Sequence, residues 1–414
     1  MTICGVICEL NPFHKGHEYL FNEARKITGA DIIIAVMSGD FVQRGIPAVC
    51  DKYSRTQMAL KGGADVVIEL PTIYSTASAD YFAFGAVSAL DNLRCVDFLC
   101  FGSESGDLYS LKKYVKNNFL NDNSPHILNQ GIRKPGYNSL VSDYLKEGDS
   151  YAKAMSRING EDLGSNDMLG VAYIKSLKIL NSDIEPVVIK RSGSNYLDVS
   201  EDSNSATAIR RKIVEGKEYS ANIPAYVREI LEEAEFDRFP INIDDFSIQL
   251  FTRINTIIHK EERGEDSLTA YMDVSNNIAG RIRNNINDYI SYDDFISCIH
   301  SKEYTKSRVM RALLHILLDI RKSDYSEDLL DCFTPFVRIL GFNSKGRNAL
   351  SIIKENSIVP VIAKAKDAEK ILDEDALKVF NMDVYAANIY EQACTFKFKN
   401  SPIHDLRKEI IIVQ

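Results

Sequence analysis

Two histidines near the amino terminus, His14 and His17, are spaced so that both imidazoles could face one phosphate group. An apolar run precedes them and a helical pattern follows, which predicts a strand, a tight turn and a helix start. Gly16 lets a ligand approach the backbone, and the free N–H groups of a helix start attract an anion. Imidazoles placed there can donate to phosphate oxygens as negative charge builds up during a reaction. This context favours phosphate chemistry over an ordinary surface loop with two histidines.

The elements that must position these histidines alternate between strand and helix. Apolar runs at 31–37, 65–70, 96–101 and 185–191 predict strands, with helical patterns between them. This order predicts a Rossmann-like parallel α/β sheet, whose strand ends share one ligand-binding edge. The residues expected at that edge are His14, His17, Gln43, Arg44, Gly102, Ser103, Lys190 and Arg191.

Gln43 and Arg44 stand in a loop that Gly39, Gly45 and Pro47 shape after the second predicted strand. Both side chains could reach a phosphate or a substrate carboxylate. A solvated loop charge is an equally open interpretation of Arg44.

A second candidate for phosphate binding lies at 205–210, where small hydroxyl residues lead into a helix. Ser205, Thr207 and Arg210 would combine hydroxyls, free N–H groups and a guanidinium at one helix start. Ser205 or Thr207 could instead only cap that helix. Together with the histidines of the same predicted sheet, the segment favours phosphate binding and adds Arg210 as a third catalytic candidate.

Length and pattern divide the 414 residues into two predicted domains. Residues 1–220 form the α/β domain, in which the irregular stretch 105–165 is expected to be an insertion or a lid. Residues 221–414 form a mostly α-helical domain. Its expected elements are helices at 247–260, 289–298 and 307–321 and an edge strand at 409–413.

Composition narrows the class of protein. No apolar run reaches the roughly 18 residues of a membrane span, and the first residues lack the basic segment of a signal peptide, so we expect a cytoplasmic protein. The eight cysteines include no C-x-x-C pair, which argues against a structural zinc site. We expect no metal site built from side chains and no membrane contact.

A net charge of −9 and a pI near 5.4 do not indicate nucleic-acid binding by the chain as a whole. Local clusters of lysine and arginine in the second domain could still contact a phosphate backbone, although scattered surface charge usually serves only solvation. The residues of these clusters are Lys302, Lys306, Arg308, Arg311, Arg338, Lys345 and Arg347.

Several motifs together make the sequence similar to one known family. The motifs occupy residues 9–17, 37–45, 101–104, 165–169, 190–191, 205–210, 308–311 and 340–343. The chain resembles the bacterial tRNA(Met) cytidine acetate ligases, within the His-x-Gly-His nucleotidyltransferase superfamily. The His-x-Gly-His pattern gives only the superfamily, whereas the Phe41-Val-Gln-Arg-Gly45 loop narrows the resemblance to this family.

The resemblance implies an enzyme that uses ATP and acetate, not acetyl-CoA. It would form acetyl-adenylate and acetylate N4 of the wobble cytidine of elongator tRNA(Met). Mg²⁺ would accompany ATP, with no tightly bound cofactor and no obligate protein partner. From the residues themselves we expect Ser205, Thr207 and Arg210 to hold the β- and γ-phosphates. The other implied ATP contacts are Ile7, Cys8, Glu9, Asn11, Pro12, Phe13, His14, Lys15, Gly16, His17, Leu20, Gly102, Asn166 and Arg191.

The sequence departs from the family pattern at three positions. Leu10 stands where an aromatic residue is common, Asp167 stands where a second asparagine is usual, and no histidine occurs near Leu197. The acyl pocket is expected near 78–82. Two alternatives stay open: a nucleotidyltransferase that adenylylates a small molecule, and a non-catalytic RNA-binding protein with a vestigial nucleotide site.

Overall fold

An eight-stranded, mostly parallel sheet organises the part of the chain that the computed structural model describes. The described residues are 1–119, 163–191, 205–234, 237–325 and 334–414. The sheet contains β1 (Ile3–Cys8), β2 (Ile32–Ser38), β5 (Val66–Leu70), β6 (Phe98–Ser103), β7 (Glu185–Lys190), β8 (Val337–Asn343), β9 (Val361–Ile362) and β10 (Ile411–Val413), and a separate antiparallel hairpin pairs β3 (Phe41–Val42) with β4 (Ile46–Pro47).

The strand order is β10-β8-β5-β2-β1-β6-β7, with β9 also paired to β8. Strands β5, β2, β1, β6 and β7 run parallel, so their carboxyl ends lie along one edge, called here the carboxyl edge. All residues of β1 and β2 are buried, as the continuous apolar runs require when helices cover both faces. The prediction of a Rossmann-like parallel sheet followed by a largely helical region is confirmed.

Seven helices among the described residues accompany the strands of the first half. They are α1 (Lys15–Thr28), α2 (Lys52–Lys61), α3 (Thr72–Ser75), α4 (Ala79–Asp91), α5 (Leu108–Phe119), α6 (Ser165–Ile179) and α7 (Ala206–Val214). Asp51 caps α2 by accepting from the N–H groups of Tyr53 and Ser54. The expected lid at 105–165 begins with α5, and its residues 120–162 lie outside the described part.

The second half is mainly helical within the described ranges. Its helices are α8 (Ala225–Ala234), α9 (Ser247–Glu261), α10 (Asn276–Asn285), α11 (Tyr292–Ile299), α12 (Lys306–Leu317), α13 (Ser344–Asn356), α14 (Ala368–Ile371) and α15 (Glu374–Phe398). Helices therefore occur in all three predicted stretches. Within the described ranges, every helix is too short or too polar to cross a membrane.

The sheet crosses the domain boundary expected at residue 220. Strand β8 pairs antiparallel with β5, and β10 pairs with β8 at the outer edge. The segment 338–347 contains basic residues that were expected to contact RNA. Its first part belongs to strand β8, in which Val337, Ile339, Leu340 and Phe342 are buried. The division at residue 220 thus does not separate the sheet from the helices.

Candidate active site

The first turn (residues 9–14) connects β1 to α1 and places both histidines at the carboxyl edge. His14 is the N-cap of α1, and its Nδ1 accepts from the Gly16 N–H at 3.0 Å. The Nδ1 of His17 accepts from the His14 N–H at 3.2 Å, and the two rings lie 3.8 Å apart between centroids. A ring nitrogen that accepts a hydrogen bond carries no proton, so each neutral imidazole has its proton on Nε2. Both Nε2–H groups are thus available to a ligand.

Burial keeps both imidazoles uncharged. Together with the positive charges of Arg191 and Arg210, burial lowers the pKa of His14 to about 3. Burial, the His14 ring and Arg191 also hold the pKa of His17 well below its usual value. At neutral pH the pair therefore supplies two uncharged hydrogen-bond donors, and the positive charge beside them comes from the two arginines.

A cavity of about 300 Å³ opens beside the two histidines. This volume is at the lower end of the range for ligand pockets. The expected site residues that line it are Ile7, Cys8, Glu9, Asn11, His14, Gly16, His17, Leu20, Gly102, Asn166, Arg191 and Arg210. Its apolar wall includes Ala79, Phe82, Phe101, Met168, Leu169 and Tyr173. The structure thus brings most of the predicted ATP residues together around one space.

Five of the residues expected to contact ATP do not line the cavity. They are Pro12, Phe13, Lys15, Ser205 and Thr207. Phe13 is fully buried in the core, and the Lys15 ammonium donates to the carbonyl of Ala221 at 2.8 Å. Ser205 caps α7, because its Oγ accepts from the Ala208 N–H. The capping interpretation that the sequence left open therefore describes Ser205.

Arg210 ties the start of α7 to the first turn. Its Nη1 donates to the carbonyl of Asn11 at 2.7 Å, and its Nη2 donates to Thr207 Oγ1 at 3.1 Å. Thr207 therefore acts on the cavity indirectly, by orienting Arg210. These two bonds hold the guanidinium of Arg210 near His14, so its charge lies where the sequence analysis expected a phosphate.

Glu104 holds in place the part of the cavity wall that contains Asn166 and Arg191, a role that the sequence did not predict. Its carboxylate accepts from the Asn166 N–H at 3.1 Å, from the Asn166 Nδ2 at 2.5 Å and from the Asp167 N–H at 2.9 Å. With Nδ2 held by an acceptor, Asn166 turns Oδ1 toward Arg191, whose Nη1 donates to it at 3.1 Å. Glu104 thereby fixes the orientation of two expected ATP residues.

Asp167, one of the departures from the family pattern, binds the loop after β6. Its carboxylate accepts from the Ser103 hydroxyl and from the N–H groups of Glu104 and Ser105 at 3.1 Å. A carboxylate suits this position because all three neighbours are donors. Leu10 lines the cavity, and the position near Leu197 lies outside the described residues.

The hairpin of residues 41–47 forms another wall of the cavity. Gln43 and Arg44 both line it, as expected from the loop that follows β2. The Gln43 N–H donates to the Glu9 carboxylate at 2.8 Å, which joins the hairpin to the first turn. Ala79 and Phe82 also line the cavity, so the structure brings the expected acyl-pocket segment to the same site.

The basic residues expected to contact RNA have different surroundings. Arg338 is 3% exposed and paired with Asp405 at 2.7 Å, so its assignment as an RNA contact is wrong. Arg311 is largely buried and paired with Asp273 at 2.9 Å. Lys306 is exposed at the start of α12.

Lys345 and Arg347 are exposed at the start of α13. They follow β8, which runs antiparallel to β5, so they lie at the edge of the sheet opposite the cavity. The structure therefore does not bring them to the histidines.

Within the described residues, no three side chains of histidine, cysteine, aspartate or glutamate converge as a metal site would require.

Comparisons with known proteins give the family. A family model described as HIGH Nucleotidyl Transferase matches residues 1–404. The tRNA(Met) cytidine acetate ligase of Thermoanaerobacter sp. (strain X514) is 38% identical over 421 residues, which cover 98% of each chain. This chain belongs to the tRNA(Met) cytidine acetate ligase family. The family member from Caldicellulosiruptor saccharolyticus is 36% identical over 421 residues, covering 98% of this chain and 99% of that protein.

Solved structures of the family agree with the fold described above. Thermotoga maritima TmcAL in its apo form I superposes with a TM-score of 0.84 at 30% identity. The same protein bound with alpha-thio ATP gives a TM-score of 0.82 at 29% identity. Both comparisons cover 100% of each chain, so the family resemblance inferred from sequence motifs is confirmed over the whole length.

Proposed function

We propose that this chain is an ATP-dependent acetate ligase that acetylates N4 of the wobble cytidine of elongator tRNA(Met). The observation that carries the proposal is the histidine pair: both rings line the cavity near Arg191 and Arg210, and because Nδ1 of each ring is bonded to the backbone, each ring can donate from Nε2–H. Neutral donors flanked by guanidiniums suit the α-phosphate of ATP during displacement. The names of its relatives and the alpha-thio ATP bound to Thermotoga maritima TmcAL support the substrate assignment.

Sheet order divides the cavity between the two small substrates. Strand β1 lies between β2 and β6, and β7 follows β6. On the β6 and β7 side, Gly102 lies near the end of β6 and Arg191 directly follows β7. Asn166 is hydrogen-bonded to Arg191 there. We assign the nucleotide to this side because three of the expected ATP contacts, Gly102, Asn166 and Arg191, lie there, and we assign the β- and γ-phosphates to the Arg210 guanidinium on α7.

Acetate binds on the β2 side of the cavity. There the 41–47 hairpin presents Gln43 and Arg44, whose amide and guanidinium suit a carboxylate. Ala79 and Phe82, which follow β5, provide an apolar surface for the methyl group. Placed so, the carboxylate faces the α-phosphate that the histidines hold from the other side of β1.

The reaction then has two steps. An acetate oxygen attacks the α-phosphorus, the bond to the β-phosphate bridging oxygen breaks, and pyrophosphate leaves with that electron pair. His14, His17 and Arg210 stabilise the charge that develops on the phosphate oxygens, mainly through prior positioning. The cytidine N4 amine next attacks the acetyl carbonyl carbon, loses a proton, and AMP leaves. The base must be splayed out of the anticodon loop to reach the cavity.

Magnesium enters this scheme with ATP. Phosphate oxygens and water would hold most of the Mg²⁺ coordination shell, as is usual for this ion beside ATP, and the ion would offset phosphate charge. The protein groups of both steps are the histidines, the arginines and the polar walls. In this scheme the reaction needs no second protein. Its ATP and tRNA substrates would come from the cytoplasm.

The tRNA contact we propose is the exposed start of α12. Lys306 is exposed, and the Arg308 guanidinium lies 5.0 Å from the centre of the Tyr304 ring. A Cβ added to Gly45 would overlap the backbone of α12, so the helix abuts the hairpin that lines the cavity. Phosphates bound at α12 would thus place a splayed base near the acetyl site.

The deciding experiment combines the full chain with labelled acetate, ATP and a tRNA(Met) transcript. Nucleoside mass spectrometry of the digested tRNA should show N4-acetylcytidine only when enzyme, ATP and acetate are all present. A matched transcript with uridine at the wobble position should stay unlabelled. ATP consumption without any acetylcytidine would reject the proposal in favour of a nucleotidyltransferase acting on a small molecule.

A further inference from the structure

Arg55 in α2 is fully buried and lies outside the residues that line the cavity. Its Nε donates to the carbonyl of Cys50 at 3.1 Å. Its Nη1 donates to the carbonyls of Glu9 at 2.8 Å and Ser38 at 3.0 Å, and its Nη2 donates to that of Gly39. One guanidinium thus bonds four backbone carbonyls that belong to three separate segments.

Those segments form the supports of the acetate side of the cavity. Glu9 begins the first turn, Ser38 and Gly39 lead into the 41–47 hairpin, and Cys50 follows it. Arg55 therefore holds both ends of the hairpin against the turn that carries His14. A planar fork of five donors can satisfy this set of acceptors, whereas a lysine ammonium offers three donors from a single point.

Further bonds fasten the hairpin to the same turn. The Gln43 N–H donates to the Glu9 carboxylate at 2.8 Å, and the Val49 N–H donates to the Asn11 Oδ1 at 2.9 Å. The carboxylate of Asp40 lies 3.9 Å from Arg55 Nη2 and accepts from the Lys52 N–H at 2.6 Å. The hairpin, the first turn and the start of α2 thus form one hydrogen-bonded unit centred on a buried cation.

We propose that Arg55 is a positioning residue that sets the 41–47 hairpin against the first turn and thereby governs the affinity for acetate. This inference rests on the proposed function, because it takes acetate as the ligand beside Gln43 and Arg44. The β6 and β7 side of the cavity has no bond to Arg55 among the described contacts. Loss of the fork should therefore disturb the acetate side and leave the nucleotide side in place.

Arg25 provides a matched control. Its guanidinium also bonds backbone carbonyls, those of Ala30, Asp31 and Gly63 at 2.7–3.1 Å, together with Asp65. These residues precede β2 and β5, so Arg25 lies at the edge of the sheet opposite the cavity. A merely structural role for Arg55 would lower the stability of Arg55→Lys without a selective rise in the KM for acetate.

The test measures acetylcytidine formation by the full chain with acetate and ATP varied separately. Arg55→Lys should raise the KM for acetate about tenfold or more, as small misplacements of a bound reactant do, with the KM for ATP nearly unchanged. Arg25→Lys should change neither KM. An equal rise in both KM values for Arg55→Lys, or the same effect in Arg25→Lys, would overturn the proposal.

Hydrogen exchange gives a readout that needs no activity. The amides of Gln43 and Val49 should exchange faster in Arg55→Lys and at the wild-type rate in Arg25→Lys. Unchanged exchange would overturn the positioning role even if the wild-type chain proved inactive with acetate, an outcome that would reject the proposed function separately. If Arg55→Lys does not fold, Asp40→Asn removes the adjacent charge at constant shape and should raise the KM for acetate selectively. An unselective change would count against the proposal.

Discussion

The backbone N–H of His14 fixes the protonation of the His17 ring, and the neighbouring N–H of Gly16 fixes that of the His14 ring. The Nδ1 of His17 accepts from the backbone of His14, while the Nδ1 of His14 accepts from Gly16 one residue before His17. The same two bonds that begin α1 thus direct both Nε2–H groups away from the backbone. In each ring, Nδ1 takes part in helix capping, and Nε2–H is left for transition-state stabilisation.

This arrangement predicts that His17→Ala abolishes acetylation while the protein stays folded. Removal of one preorganised donor should lower kcat by about 100-fold or more. Loss of the Nδ1 acceptor should cost only about 1 kcal/mol of stability, the typical value of a cap. Acetylcytidine formation and thermal unfolding measure the two effects separately.

His259→Ala is the control, because its side chain is 69% exposed on α9, far along the chain from the turn. That variant should keep wild-type turnover. Substantial acetylation by His17→Ala at normal stability would remove His17 from the catalytic role.

Glu104 predicts a different kinetic signature. In Glu104→Gln, the new side-chain amide could either donate to or accept from the Asn166 amide. Asn166 would then no longer be held in the single orientation that directs its Oδ1 toward Arg191. The KM for ATP should rise about tenfold, since a hydrogen bond to a charged group is worth about 1.5–3 kcal/mol, and the KM for acetate should change little.

Steady-state kinetics with each substrate varied tests this expectation, with the exposed Glu185→Gln as the matched control at the start of β7. An effect on acetate alone would show that Asn166 and Arg191 serve the acyl donor, contrary to the proposed division of the cavity.

Much of the fold could be predicted because its signals are local. Apolar runs predicted β2, β5 and β7, and the hydroxyl residues before 208 offered a cap for α7, which Ser205 provides. Arg338 could not be understood in this way. Its partners Glu69 and Asp405 are 269 and 67 positions away, and only the antiparallel insertion of β8 beside β5 brings them together. A basic residue in sequence therefore looked like a surface contact when it is a buried counter-ion.

The site shows the same limit. His14, His17 and Arg210 could be recognised from the sequence because each stands in a short contiguous motif whose residue types suit phosphate binding. The roles of Glu104 and Arg55 depend on which backbone groups the fold brings near them, so spacing along the chain carried no signal for either residue.

Asp383 predicts a pH dependence of stability. Burial and the negative charge of Glu69 raise the pKa of this carboxyl to about 7. Between its unfolded pKa, near 3.9, and the folded value, the folded state binds the extra proton, so Asp383 destabilises the fold increasingly as pH rises. Asp383→Asn should thus gain free energy of unfolding relative to wild type from pH 4 to pH 7, by at most about 1.4 kcal/mol per pH unit.

The measurement is the unfolding midpoint of both proteins across that range. Asparagine keeps an oxygen to accept from the Thr72 N–H, which Asp383 binds at 2.6 Å, so geometry is preserved. A difference between the two proteins that is constant with pH would contradict the buried, protonated state of Asp383.

The proposed tRNA contact predicts an asymmetry between two basic pairs. A double variant, Lys306→Ala with Arg308→Ala, should raise the KM for tRNA and reduce the salt dependence of binding, because phosphate contacts release counter-ions. Lys345→Ala with Arg347→Ala removes the same formal charge at the opposite edge of the sheet and should leave both quantities near wild type. Acetate-dependent exchange of pyrophosphate into ATP should be unchanged in both variants, since that step needs no RNA. Equal losses of tRNA affinity in the two pairs would mean that net charge, and not a docking surface at α12, governs RNA binding.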